Sequence, residues 1–347
     1  MTLDEMEVEA MLYQQLDDKR VRCQLCSHYC VISEGKKGVC QVRENRDGVL
    51  YTLVYGRTIS QNVDPVEKKP LYHFLPGTWI YSIATPGCNF RCPWCQNWQI
   101  SQMPREMDLI TGQGVSPVEI VDLALQANCS AIAYTYTEPT IFFEYAFDTA
   151  RKGHQAGLGN VFVTNGYMTD LMLQKMHPFL DAANVDLKAF SKETYNHSIG
   201  AGFQPVLDNM KLMKKLGIWL EVTTLIIPDL NDSPAELRQA AQFIAHELGV
   251  NTPWHLSRFF PGYRMTGRGP TSIDSLRQAE EIGRAEGLQH IYIGNVPGGS
   301  DTVCPNCGKT LIQRNGYHIN ENNLIDSSCP ECGTAISGVW SMKELEK

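Results

Sequence analysis

Between residues 77 and 300, seven short runs of apolar and β-branched residues recur: WIYSIAT, AIAYTY, NVFVT, AANVDL, IWLEVTTLII, TPWHLS and HIYIG. Their length and composition predict strands. Most are separated by segments whose apolar residues recur at helical spacing. One such segment has a defined start: Ser116 as N-cap, Pro117 at the first helical position and Glu119 three after the cap, ahead of IVDLALQA. Another, FFEYAFDTARKGHQAG, stops at a glycine. Strands alternating with helices predict an α/β domain on a parallel sheet, closed or open. The flanks read differently. Residues 1–76 offer a β-like stretch (49–59) and then DPVEKKPLYHFLPG, and residues 301–347 form a short cysteine-paired tail. Three regions are expected: 1–76, 77–300 and 301–347.

The polar residues fall at one end of the predicted strands. Cys88, Cys92 and Cys95 follow the first, Thr137 and Glu138 the second, and Thr164 and Asn165 end the third. Asp186 and Lys188 close the fourth, Pro228 and Asp229 follow the fifth, His255 to Arg258 lie on or past the sixth, and Asn295 follows the last. In a parallel barrel all of these converge on the C-terminal rim, where such folds place their sites.

Composition narrows the class. The chain is 43% hydrophobic, enough for a sizeable core, yet no stretch approaches the ~18 apolar residues of a membrane span. MTLDEMEVEA has no apolar h-region, so no secretory leader is expected. Thirty basic against 38 acidic residues leave a net charge of −8, which argues against a membrane or nucleic-acid partner. Of twelve cysteines, eleven fall into three tight groups, and Cys129 reads as a packing residue. Tight groups are what metal coordination requires, and they predict a reducing, cytoplasmic setting.

The second group, ATPGCNFRCPWCQNWQIS, places Cys88, Cys92 and Cys95 on one loop in C-x3-C-x2-C spacing. Three thiolates can hold three irons of a [4Fe–4S] cluster and leave the fourth open. The first group, Cys23, Cys26, Cys30 and Cys40, can close a site for zinc or an auxiliary [4Fe–4S] cluster; ligand count does not choose. The third, CPNCG and CPECG, supplies Cys304, Cys307, Cys329 and Cys332 as two C-x2-C knuckles 21 residues apart. That spacing predicts a zinc ribbon, with a rubredoxin-like iron site as the minor alternative.

The second group, with Trp94 before its third cysteine, resembles the signature of the radical S-adenosylmethionine (SAM) superfamily. That resemblance implies a partial (β/α)6 TIM-like barrel and a cluster whose open iron chelates SAM. It further implies one-electron cleavage of SAM to a 5′-deoxyadenosyl radical. TYTEPT, VTNG, DLK and WHLSRFFP resemble segments of pyruvate formate-lyase (glycyl-radical enzyme) activating enzymes. By that likeness Glu138 pairs with the SAM ammonium and Lys188 with its carboxylate. Trp94, Asn165 and His255 orient adenine, ribose or substrate, and Thr164 and Asp186 match a monovalent-cation site. Val163 stands where those enzymes carry an acidic residue, and the glycines before the glutamate are absent. VRCQLCSHYCVI, KKGVCQVREN, VDPVEKKPLYHFLPG and AYTYTEPTIFFEY extend the resemblance to AmmeMemoRadiSam-system radical SAM proteins. It implies an oxidoreductase fed by a flavodoxin- or ferredoxin-type donor and acting on a protein or peptide, with Memo-like and AMMECR-like proteins as associates. A small-molecule substrate stays open. So do two other classes: a non-catalytic multi-zinc interaction protein, and a nucleic-acid-modifying enzyme, against which the charge counts.

Overall fold

The computed structural model describes residues 6–296, 298 and 300–345. Its centre is one open sheet of eight strands: β1 (Ser60–Pro65), β2 (Trp79–Ala84), β3 (Ala131–Tyr134), β4 (Gly159–Thr164), β5 (Ala182–Asp186), β6 (Trp219–Ile226), β7 (Trp254–Arg258) and β8 (Ile291–Gly294). They lie side by side in chain order. β2 to β8 are parallel, and β1 pairs antiparallel with β2 from Ser60 opposite Ala84 to Pro65 opposite Trp79. All seven predicted strands are present. Six strand–helix units run through the domain, as the resemblance implies, followed by a seventh parallel strand, and an antiparallel edge strand is added. That edge strand comes from residues assigned on sequence to the N-terminal region.

Six helices fill the crossovers: α1 (Pro117–Gln126), α2 (Phe143–Gln155), α3 (Asp170–Met176), α4 (Gln204–Lys215), α5 (Pro234–Phe243) and α6 (Ile273–Ala285). α1 begins as its sequence predicts. Ser116 Oγ accepts from Glu119 N (3.3 Å) and Glu119 Oε2 accepts from Ser116 N (2.7 Å), which satisfies two otherwise free amides.

Period-two alternation divides the strand residues between two faces. Tyr81, Ile132, Phe162, Val185, Val222, Leu256 and Ile293 join the main core with the helices. Ile80, Ala131, Ala133, Val161 and Ala182 face the other way and pack on Val66, Leu71, Phe74 and Leu75. The segment after β1, read on sequence only as a Pro/Lys-rich passage, therefore plugs one end of the sheet's inner face.

The flanking regions attach at different places. Near the N-terminus, Val21–Cys23 pairs with Tyr13–Gln15 and Val31–Ile32, while Val49–Thr52 pairs with Val8–Glu9 and Arg43–Arg46. These strands share the main core, and Ser27 N and Leu25 O bond the loop after β4 at Tyr167 and Thr169. The C-terminal strands, Thr302–Val303, Thr310–Asn315 and His318–Asn322, have a small core of their own. They dock on the plug: Leu75 N donates to Val339 O, and buried Arg314 donates to Tyr72 O (2.9 Å), Ser300 O (3.0 Å) and Thr302 Oγ1 (2.8 Å). Among the described residues no helix is long and apolar enough to cross a membrane.

Candidate active site

A cavity of about 410 Å³ opens at the carboxyl ends of the parallel strands, where α/β sheets bind ligands. Cys88, Cys92, Trp94, Cys95, Glu138, Thr164, Asn165, Asp186 and Lys188, all predicted from sequence, line it.

The cysteine loop leaves β2 through Gly87, whose φ is +108°; a Cβ there would meet Val42 Cγ1 at 2.8 Å. Only glycine suits both the conformation and the approach. Beyond it, Phe90 N donates to Cys88 Sγ (3.4 Å), and Cys95 Sγ lies 3.3 Å from Ser101 Oγ. Burial pushes the Cys92 thiol up to about 12 against the pull of Lys188. Ligation to a cation would remove that proton.

Glu138 is held rigidly. Its Oε1 accepts from Thr140 N (3.1 Å), Thr140 Oγ1 (2.6 Å) and Thr164 Oγ1 (2.7 Å), and its Oε2 accepts from Asn165 N (2.8 Å). Burial raises its pKa above the ordinary value, and these donors oppose the rise. Asn165 Nδ2 donates to Asn89 Oδ1 (2.7 Å) beside Cys88. Lys188 Nζ lies 2.9 Å from Asp186 Oδ2. Burial works against the ammonium, but Asp186 and Cys92 outweigh it and hold the pKa above the usual lysine value. The wall therefore presents three thiols, the Glu138 and Asp186 carboxylates and the Lys188 ammonium toward one space.

His255 is not on that wall. It lies near the start of β7, 4% exposed, with Nε2 2.6 Å from Glu221 Oε2 and its ring between Tyr72 and Tyr292. Glu221 also accepts from Tyr72 N, His73 N and Trp219 Nε1. The expected ribose or substrate contact of His255 is corrected to a place in this buried network. The strand period brings Ser257, two residues on, to the cavity. Asp229 is likewise exposed and away from it.

Several lining residues escaped the sequence reading. Lys68 and Lys69 line the cavity, their Nζ atoms 2.6 Å and 2.7 Å from the carboxylate of Asp64 on β1, which also accepts a bond from Tyr136 OH. Burial lowers the Lys69 pKa to about 8, and Asp64 opposes the change. Tyr136 has a φ of +62°, and Tyr317, at the tip of the C-terminal hairpin, also reaches the cavity. The KK pair was visible, but only the antiparallel return of β1 brings it to the site.

The cysteine groups differ in spread. Cys304, Cys307, Cys329 and Cys332 bring their Sγ atoms within 4.8 Å of one another, with Cys304–Cys332 and Cys307–Cys329 at 3.6 Å. Among the described residues no other set of three or more Cys, His, Asp or Glu ligand atoms is so compact. Cys88, Cys92 and Cys95 do not form such a compact set and instead line the cavity.

Comparison with known proteins agrees with this geometry. The model of the Radical SAM superfamily matches residues 82–244. An uncharacterized protein of Methanocaldococcus jannaschii is 46% identical over 332 residues, covering 94% of this chain and 98% of its own. The pyruvate formate-lyase-activating enzyme of Clostridium pasteurianum is 21% identical over 184 residues, 48% of this chain and 74% of that one. Among solved structures, a radical SAM methyltransferase from Sphaerobacter thermophilus has a TM-score of 0.50 at 17% identity, covering 68% of this chain and 71% of its own. SuiB of Streptococcus suis, bound to S-adenosylmethionine, has a TM-score of 0.50 at 11% identity, covering 66% and 53%. With its C-x3-C-x2-C loop at the carboxyl end of a parallel sheet, this chain carries a radical SAM domain over residues 82–244, with weak homology to glycyl-radical activating enzymes.

Proposed function

We propose that the protein is an oxidoreductase that cleaves SAM reductively and takes a hydrogen atom from a protein or peptide substrate. The observation that carries the reading is the convergence of Cys88, Cys92 and Cys95 with Glu138 and Lys188 on one cavity. Bound there, a [4Fe–4S] cluster and SAM supply the chemistry: one electron breaks the sulfonium bond to give methionine and a 5′-deoxyadenosyl radical.

The chain's own residues bind and orient. Glu138, fixed by four donors, presents its carboxylate to the SAM ammonium. Lys188, kept charged by Asp186, meets the SAM carboxylate. Asn165, tied to Asn89 beside Cys88, faces the ribose, and Trp94 supports the adenine. The electron comes from a flavodoxin- or ferredoxin-type donor. The kinship with activating enzymes supports a polypeptide substrate. A second reading, a small anionic substrate, is favoured by Lys68 and Lys69 on the cavity wall. In the C-terminal quartet the 3.6 Å separations match the roughly 3.8 Å expected of four thiolates around one zinc ion. Zinc there would brace the hairpin that carries Arg314 and Tyr317.

The test is anaerobic reaction of the reduced protein with SAM. The wild type forms 5′-deoxyadenosine, and Cys92→Ala forms none while retaining one zinc. Product formation by Cys92→Ala at the wild-type rate would overturn the assignment.

A further inference from the structure

We infer that Cys23, Cys26, Cys30 and Cys40 hold a second [4Fe–4S] cluster, placed to pass electrons to the Cys88 loop. The delivery role rests on the reading of the active site above; the cluster itself does not.

The argument begins with sulfur spacing. A tetrahedral ion with metal–sulfur bonds of about 2.3 Å draws four thiolates to about 3.8 Å from one another. A cube of four irons carries its thiolates on the outside, about 6 Å apart. The C-terminal quartet follows the first geometry. The N-terminal quartet does not, because no three of its sulfurs lie within 4.8 Å of one another. Yet its four side chains line a single cavity. The four thiols therefore line one cavity without the close approach of the C-terminal quartet, the spread that a cluster's outer corners require. In this they resemble the Cys88 group.

The surroundings suit such a cluster. Buried Leu25, Ile32 and Ile141 line the cavity beside the cysteines. Arg43, 1% exposed, points NH1 at Cys23 Sγ (3.8 Å) and forms an ion pair with Glu144. Val39 N lies 3.5 Å from Cys30 Sγ. Such donors stabilise cysteine-bound clusters and tune their potentials. Four thiolates around a [4Fe–4S]²⁺ core leave a negative centre, toward which Arg43, itself paired with Glu144, turns one N–H. His28 is no substitute ligand through Nε2, which lies 2.9 Å from Asn89 O.

The two cysteine loops touch. Cys40 O lies 3.4 Å from the position a Gly87 Cβ would take. Arg105 donates to Val39 O (2.9 Å) and to Cys88 O (3.3 Å), tying the segments together. A low-potential donor of the flavodoxin or ferredoxin class loses one electron, and the N-terminal cluster goes from the 2+ to the 1+ state. It returns to 2+ as the electron moves on to the centre at Cys88, Cys92 and Cys95. No bond is made or broken and no proton moves.

The test is metal and sulfide analysis of the full chain purified anaerobically, together with the Cys88→Ala/Cys92→Ala/Cys95→Ala variant. The wild type is expected to hold about eight irons, eight sulfides and one zinc. The variant is expected to keep about four irons and one zinc, with an EPR signal on reduction that SAM does not perturb. A wild type with four irons and two zincs, or a variant with two zincs and no iron, overturns the proposal. Failure of the active-site reading looks different: the variant keeps its cluster, but no signal in the wild type responds to SAM. Delivery is read in Cys26→Ala/Cys40→Ala as the rate at which flavodoxin generates the SAM-perturbed signal. A fall of at least tenfold is expected, and an unchanged rate refutes the relay.

Discussion

Replacing Glu138 by glutamine tests whether its carboxylate binds SAM. Each oxygen faces a fixed backbone donor, Thr140 N at 3.1 Å and Asn165 N at 2.8 Å. Either orientation of the new amide therefore sets its NH2 against a backbone N–H. That mismatch costs about 1–3 kcal/mol of stability. The charge-assisted bond to the SAM ammonium is lost as well, worth about 1.5–3 kcal/mol. Affinity should then fall roughly 10- to 150-fold. The assay is titration of the reduced protein with SAM, read as perturbation of its EPR signal, with iron content as the control because Glu138 ligates no metal. Wild-type affinity should also weaken with acid as Glu138 protonates, at a higher pH than an exposed glutamate because burial raises its pKa. The variant should show no such dependence. An affinity within twofold of wild type, with the same pH profile, refutes the role.

Three further outcomes are expected. Gly87→Ala forces a side chain into Val42 at a φ of +108°, so it should cost roughly 1–3 kcal/mol and lower iron retention, measured by denaturation and iron analysis. Glu221→Gln removes a buried carboxylate that burial would raise but that His255 and His73 hold below its usual pKa. The wild type thus carries stability that is complete above an unfolded value of about 4.3 and lost as pH falls through the lower folded value. The variant should be weaker by about 1.5–3 kcal/mol at neutral pH and show a flatter acid limb in its thermal midpoint. Arg314→Met strips buried Glu67 of the cation 3.9 Å away and Tyr72 O of its donor, and should cost about 3–5 kcal/mol. Limited proteolysis should then release the C-terminal region first, and wild-type resistance would count against that docking.

Local chemistry carried much of the reading. The strands announced themselves because each is a short β-branched run, and α1 because Ser116, Pro117 and Glu119 form a local cap. Cys88, Cys92 and Cys95 were legible because one loop supplies all three, so their proximity is a matter of spacing. Glu138, Asn165 and Lys188 were legible because each ends a strand, and parallel strands bring their ends together. What failed was anything set by position along a strand. His255 and Ser257 share a face, but two residues of rise separate a buried partner of Glu221 from the cavity wall. Glu221 itself was a signal, a lone carboxylate inside an apolar strand, which requires partners that only the fold can name.

The sequence alone determined the alternation of elements, the three cysteine groups and the end of the sheet at which the polar residues gather. All of these depend on neighbours within a few positions of one another. The tertiary structure decided the rest. It returned β1 antiparallel to β2 and so brought Lys68 and Lys69 to the cavity. It swung Tyr317 from the C-terminal hairpin to the same place. It drew the C-terminal sulfurs close and left the N-terminal four apart. These outcomes depend on contacts between segments far apart in the chain, whose energies come from burial and from hydrogen bonds that form only once the sheet exists.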